Sequence, residues 1–163
     1  MSPNKHRPHV LVLPEDDANR QLANGFLMEV PSTSSRQIQV LPEVGGWNEV
    51  LHHFASDHVA KMDANPNRFM VLLIDFDLDE ERLSRAKERI PTHLIDRVFI
   101  LGAWSEPEAL RGDLGSYETI GRKLATECRE DTDATWAHDL LSHNVSELHR
   151  LREHVRPILF PAN

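Results

Sequence analysis

The chain has 163 residues, 40% hydrophobic and 27% charged, and its 26 Asp and Glu exceed its 18 Lys and Arg to leave a formal charge of −8. That size suits one globular domain, and no apolar stretch approaches the roughly 20 residues that cross a bilayer, so a membrane protein is not expected. The charge argues against a protein that coats DNA or RNA by releasing counterions to Lys and Arg, but it allows a nucleic-acid enzyme whose carboxylates are covered by a divalent ion.

Met1 to Arg7 carries some positive charge with no apolar segment behind it, so no secretory signal is expected there. A single cysteine, Cys128, offers neither an internal disulfide nor a thiolate metal cluster, which fits a reducing cytoplasm. Val10 to Leu13 is a short apolar run closed by Pro14, the pattern of a buried strand. Asp16 to Glu29 follows with Leu22, Phe26 and Val30 at helical spacing. Pro31 to Ser35 breaks that helix, Ile38 to Leu41 makes a second strand, and Gly45-Gly46 leads into a helix with Trp47, Val50, Leu51, Phe54 and Val59 on one face.

Phe69 to Ile74 is the most apolar segment and runs directly into Asp75-Phe76-Asp77-Leu78-Asp79. A continuously apolar strand is one buried on both faces, as in a parallel sheet. A charged helix is expected from Glu80 to Arg89, a fourth strand from Arg97 to Leu101, and a helix beyond Trp104 with Ser105 as its N-cap and Pro107 in its first turn. Leu140, Leu141, Val145, Leu148, Leu151 and Val155 describe a long amphipathic helix, and Ile158 to Phe160 reads as a last strand.

Strands alternating with helices predict an α/β fold: a doubly wound, mainly parallel sheet of four to five strands with helices on both faces. No repeat or linker divides the chain, so residues 1–163 read as a single domain, with a core of about 9–112 and a helical extension of about 113–163. In such sheets ligands sit outside the carboxyl ends of the strands. The loops that open there hold Glu15-Asp16-Asp17, Gly45-Gly46, Asp75 to Asp79, and Trp104 to Glu108, and three of the four carry carboxylates.

Carboxylates that converge on one edge repel one another unless a cation compensates. Oxygen-only ligands suit Mg²⁺ or Mn²⁺ better than zinc. If the extended backbone continues past the third strand, Asp75 and Asp77 project to one side and Phe76 to the other. Capping and the helix dipole account equally for Asp16, Asp17 and Asp79, and they account better for Glu106 and Glu108. Gly45 and Gly46 would let backbone amides approach a phosphate, or would simply turn the chain into the next helix.

A strand that closes on Glu, in Leu13-Pro14-Glu15, and a later strand that closes on Asp-x-Asp, in Ile74-Asp75-Phe76-Asp77, resemble the TOPRIM domain of topoisomerases, primases and OLD-family nucleases. The resemblance implies Glu15 as general acid or base, Asp75 and Asp77 as ligands of Mg²⁺ or Mn²⁺, and Glu106 or Glu108 as a further metal ligand of the OLD type. It implies a metal-dependent nuclease or other phosphodiester chemistry on nucleic acid. Asp16 stands where the family's Glu is usually followed by glycine. The same residues are also similar to the acidic pocket of a response-regulator receiver, in which Asp75 would accept phosphate. Receivers place a Ser or Thr at the end of strand four and a Lys after strand five; Ser105 lies beyond the first position, and Phe160 to Asn163 contains no Lys. A third expectation is a non-catalytic subunit that binds a protein partner or a second copy through the helix expected between Trp136 and Val155.

Among the remaining features, Arg82, Arg85, Lys87 and Arg89 form a basic helix beside the acidic loop, with a solvated face as the plainer explanation. The ten histidines lack the spacing of a zinc helix and read as surface or interface residues. Trp104 reads as an anchor for its loop, and Cys128, with acids beside it, is not expected to be a nucleophile.

Overall fold

A computed structural model describes residues 2–162. Four strands, β1 (His9–Pro14), β2 (Ile38–Val40), β3 (Arg68–Leu73) and β4 (Val98–Leu101), form one parallel sheet in the order β2-β1-β3-β4. Val10 lies beside Ile38 on one side and beside Phe69 on the other, and Met70 lies beside Val98. The helices are α1 (Asp17–Met28), α2 (Trp47–His53), α3 (Val59–Ala64), α4 (Arg82–Glu88), α5 (Glu108–Leu114), α6 (Tyr117–Glu130), α7 (Val145–His154) and α8 (Arg156–Leu159). A π turn at Phe54–His58 joins α2 to α3 in one continuous helical run. No helix among the described residues is long and apolar enough to cross a membrane.

Alternation along each strand divides the core in two. Val10, Val12, Val71, Phe99 and Leu101 face α1, α6 and α7, whereas Leu11, Leu13, Met70, Leu72 and Ile100 face α2, α3 and α4. The strands β1, β3 and β4 are thus apolar on both sides, as parallel crossovers require, whereas the edge strand β2 turns Ile38 and Val40 to the first core and Gln39 to the other side. On the first face α1 and α6 cross at glycines. A Cβ on Gly25 would lie 2.2 Å from the Glu118 carbonyl oxygen, and one on Gly121 would lie 2.0 Å from that of Leu22.

Among the described residues, no fifth strand follows β4. The segment Ile158 to Phe160 belongs instead to α8 and its end, with Pro157 in the first turn and Leu159 buried in the first core. The place beside β4 is taken by side chains of α7 and the turn before it. Glu147 accepts the Ile100 N–H at 3.0 Å, and Asn144 accepts the Gly102 N–H at 3.1 Å and donates to the Gly102 carbonyl at 2.9 Å. Arg150 donates to the carbonyls of Ile95 and Val98. Glu147 is buried and is neutralised by Lys87 at 2.6 Å and Arg150 at 2.9 Å. These groups satisfy an edge that would otherwise be open to another chain.

The long C-terminal helix expected from Leu140 is also shorter than its periodicity suggests. Residues 136–141 form turns, the helix starts at Val145, and its apolar stripe of Leu148, Leu151 and Val155 is buried within the chain, so only Val145 is left strongly exposed. Ser105 does not cap α5: Pro107 occupies the cap position, with no side-chain cap bond.

Candidate functional site at the exits of β1 and β3

The sheet order places β1 and β3 side by side at its centre, with β2 reached to one side of β1 and β3 to the other. Such a reversal opens a crevice at the carboxyl ends of the strands. Glu15 and Asp75 stand there. The Glu15 N–H still bonds to the Leu73 carbonyl at 2.9 Å, so the ladder extends one residue past β1. The Glu15 carboxylate then turns across to accept the Asp75 N–H at 2.6 Å. Acids sixty positions apart are joined directly.

Asp16 is the N-cap of α1 and accepts the Asn19 N–H at 2.9 Å. Asn19 is fully buried, donates its amide to Asp75 at 3.1 Å, and leaves its own side-chain oxygen without a partner. Burial raises the Asp75 carboxyl to about 7; the Asn19 amide works against that rise, while the Asp16 and Glu15 charges reinforce it. Burial also raises the Glu15 carboxyl, opposed by the backbone N–H of Asp75 and by the Arg82 guanidinium.

Arg82 forms one wall. It donates to the Asp75 carbonyl at 2.7 Å, and its guanidinium lies 4.6 Å over the Trp47 ring. Its charge therefore meets the backbone of Asp75 and an aromatic face. Its contact with the Asp77 carboxylate is long, at 3.9 Å.

Asp77 does not join Asp75. The backbone is extended only as far as Phe76, whose N–H bonds to the Ala103 carbonyl at 2.9 Å; Asp77 and Leu78 then adopt left-handed conformations with φ of 50° and 58°. The two-residue alternation stops there, and the Asp77 side chain is 75% exposed. Two successive left-handed non-glycine residues are uncommon, and an exposed Leu among them is an outlier. Glu106 and Glu108 are exposed in the loop and first turn of α5. Among the described residues, no three His, Cys, Asp or Glu side chains converge as a ready-made metal site.

The Gly45 N–H donates to the Glu15 carbonyl at 2.8 Å, with Gly45 at φ 98°. That amide is therefore used to fold the β2–α2 loop over the β1 exit, and Gly46 follows as the N-cap of α2. The plainer roles hold for the other acids at the strand exits. Asp17 pairs with Arg20 and Gln21, each at 2.6 Å, and Asp79 accepts the Glu81 N–H and meets Arg85. Asp16 both caps α1 and borders Asp75.

The basic helix is largely neutralised from within. Arg85 meets Asp79 and Glu81, Lys87 meets Glu147, and Arg89 donates to Asn48, so only Arg82 borders the crevice. Trp104 anchors its loop as expected, with its ring stacked on Phe76 at 6.4 Å and lying 5.2 Å from His143. Not every histidine is superficial. His9 is fully buried, donating to the Arg7 carbonyl and accepting from Arg68 at 3.1 Å, which fixes it neutral. Cys128 is buried and its thiol is pushed up to about 11, chiefly by burial rather than by neighbouring acids, which leaves it a poor nucleophile.

Asn19 is the functional candidate that periodicity conceals. It stands in the stripe that continues through Leu22, Ala23 and Phe26, so an amide in an apolar row was the available signal. The oxygen donors of Asp16, Asn19 and Asp75, with the Asp75 carboxyl shifted toward protonation by burial and, secondarily, by the neighbouring acids, fit a hard divalent cation held by one or two carboxylates and water. Comparison with protein-family models, with curated proteins and with solved structures found no match to this chain.

Proposed function

We propose that this crevice holds Mg²⁺ or Mn²⁺ and processes phosphodiesters, with nucleic acid as the substrate class that the TOPRIM resemblance implies, but with Asp16 rather than Asp77 beside Asp75. The observation that carries the reading is Asp75: a carboxyl at the central crevice, buried against two other acids, with the one nearby guanidinium bonded to its carbonyl and not to its carboxylate. Asp75 and Asp16 would hold the ion, with the free oxygen of Asn19 beside them. A bound ion polarises a phosphoryl oxygen and offsets the charge that develops there. Glu15, anchored by the Asp75 N–H and shifted toward protonation by burial, is the group suited to act as general acid or base. Arg82 supplies a fixed positive charge at the rim for a substrate phosphate. Asp77, on an exposed left-handed turn, stands as an outer contact rather than a central ligand.

The test is cleavage of plasmid DNA and of RNA by the full chain with Mg²⁺ or Mn²⁺. Asp75→Asn is expected to abolish turnover, and Asp77→Asn to weaken it less. Absence of cleavage with either ion overturns the reading.

One observation favours a second reading. The acid beside Asp75 is Asp16 from the β1 exit, and the strand order is that of flavodoxin-like sheets, which receivers share, so a receiver-like module that accepts phosphate on Asp75 is the alternative. Formation of a beryllium fluoride adduct at Asp75, without nuclease activity, would select it.

A further inference from the structure

A second feature lies away from the acidic crevice, inside the core between the sheet and α1, α6, α7 and α8. A cavity of about 90 Å³ is lined there by Val12 and Leu101 of the sheet, Ala23 and Phe26 of α1, Leu151 of α7 and Val155 at its end. Close-packed interiors hold few voids larger than one water molecule, so a space of this size in the middle of a core is unusual.

Its walls carry nothing for water to bind. Asn144 is the one amide, carboxyl or hydroxyl side chain among them, and it is fully engaged by the Gly102 N–H and by the carbonyls of Gly102 and Leu141. The indole N–H of Trp136 donates to the Leu124 carbonyl at 3.1 Å. A buried water needs two to four polar partners, and an apolar space that offers none stays dry and takes apolar molecules instead.

Access is also visible. Trp136 and Leu141 line both this cavity and a groove of about 660 Å³ on the outside, between the turns that precede α7 and α7 itself. These two side chains stand between the groove and the interior and are carried by the turns at 136–141 rather than by a continuous helix.

We propose that this cavity is a binding site for a small apolar molecule between xenon and benzene in size, reached past Trp136 and Leu141. The site is independent of the acidic crevice and stands whether or not the chain cleaves phosphodiesters.

Thermal unfolding of the full chain with increasing benzene, paired with ¹²⁹Xe NMR, tests it. A saturable rise in Tm and a xenon shift that grows with protein concentration are expected. Ala23→Leu and Val155→Ile narrow the same space from opposite walls and are expected to diminish both signals; Val155→Ile adds one methylene and carries the comparison if the larger change prevents folding. An unchanged Tm in benzene together with a xenon shift no greater than that of an unrelated protein without a cavity overturns the proposal. So does binding that persists undiminished in the narrowed variants, because the ligand then lies elsewhere.

Discussion

Asp75 couples the stability of the chain to its candidate chemistry. Its carboxyl titrates near 7 in the fold against 3.8 in the unfolded chain, so the folded form holds a proton that the unfolded chain releases between those values. The sign follows from linkage: the contribution of this group to stability is complete below pH 4 and is lost as pH rises through 7. Asp75→Asn keeps an acceptor for Asn19 and removes the charge. Its Tm is therefore expected to exceed that of the wild type at pH 8, with the difference closing by pH 4, as followed by circular dichroism. His9, held neutral by burial and by Arg68, acts in the opposite sense, since a histidine that charges on unfolding loses stability below 6.5. A pH profile of the wild type alone would mix the two, which is why the single substitution is the informative comparison. Asp75 was legible in the sequence because it directly follows the most apolar strand. The orientation of Asp77 was not, because nothing in Asp-Phe-Asp-Leu-Asp announces that the backbone turns left-handed at its third residue.

At the scale of elements, helix packing and edge protection rest on a few residues whose substitutions have calculable directions. Gly121 lets α6 approach the Leu22 carbonyl at a distance no Cβ tolerates. Gly121→Ala is expected to cost about 1–3 kcal/mol or more by forcing α1 and α6 apart. Gly112, inside α5 with open space around it, gives the opposite expectation: Gly112→Ala should stabilise by about 0.5–1 kcal/mol through helix propensity. Urea midpoints of the two variants, measured side by side, separate packing from propensity. Glu147 is the second such residue. Glu147→Ala leaves the buried Ile100 N–H without its acceptor and removes the carboxylate shared by Lys87 and Arg150, which costs roughly 1–3 kcal/mol. The variant is also expected to self-associate through the uncovered edge of β4, which light scattering detects. The four strands and most helices could be read from local periodicity. This edge could not, because residues 144 to 150 meet β4 across more than forty positions, and because Ile158 to Phe160 has the composition of a strand while Pro157 starts it as a helix.

For the whole molecule, strand order decides what the sequence alone leaves open. Alternating strands and helices give the layers, but several orders satisfy them, and it is the adjacency of β1 and β3 in β2-β1-β3-β4 that brings Glu15 against Asp75. The crevice is thus a property of topology, and its chemistry a property of the few residues that topology collects. That separation yields a test of the ion that does not depend on knowing the substrate. A ligand that binds only the folded chain stabilises it by RT ln(1 + [L]/Kd), about 2.7 kcal/mol at a hundredfold excess over Kd, and each kcal/mol is worth roughly 2–4 °C in a chain of this size. Mn²⁺ is therefore expected to raise the Tm of the wild type by several degrees at pH 8. The gain should shrink at pH 5, where Asp75 is protonated and competes with the ion. Asp75→Asn should abolish the gain even though it raises the baseline, so the two curves approach each other as Mn²⁺ is added. Equal shifts in both proteins would mean that the ion binds elsewhere, and the crevice would then be a structural junction of β1, α1 and β3, with its acids tolerated rather than used.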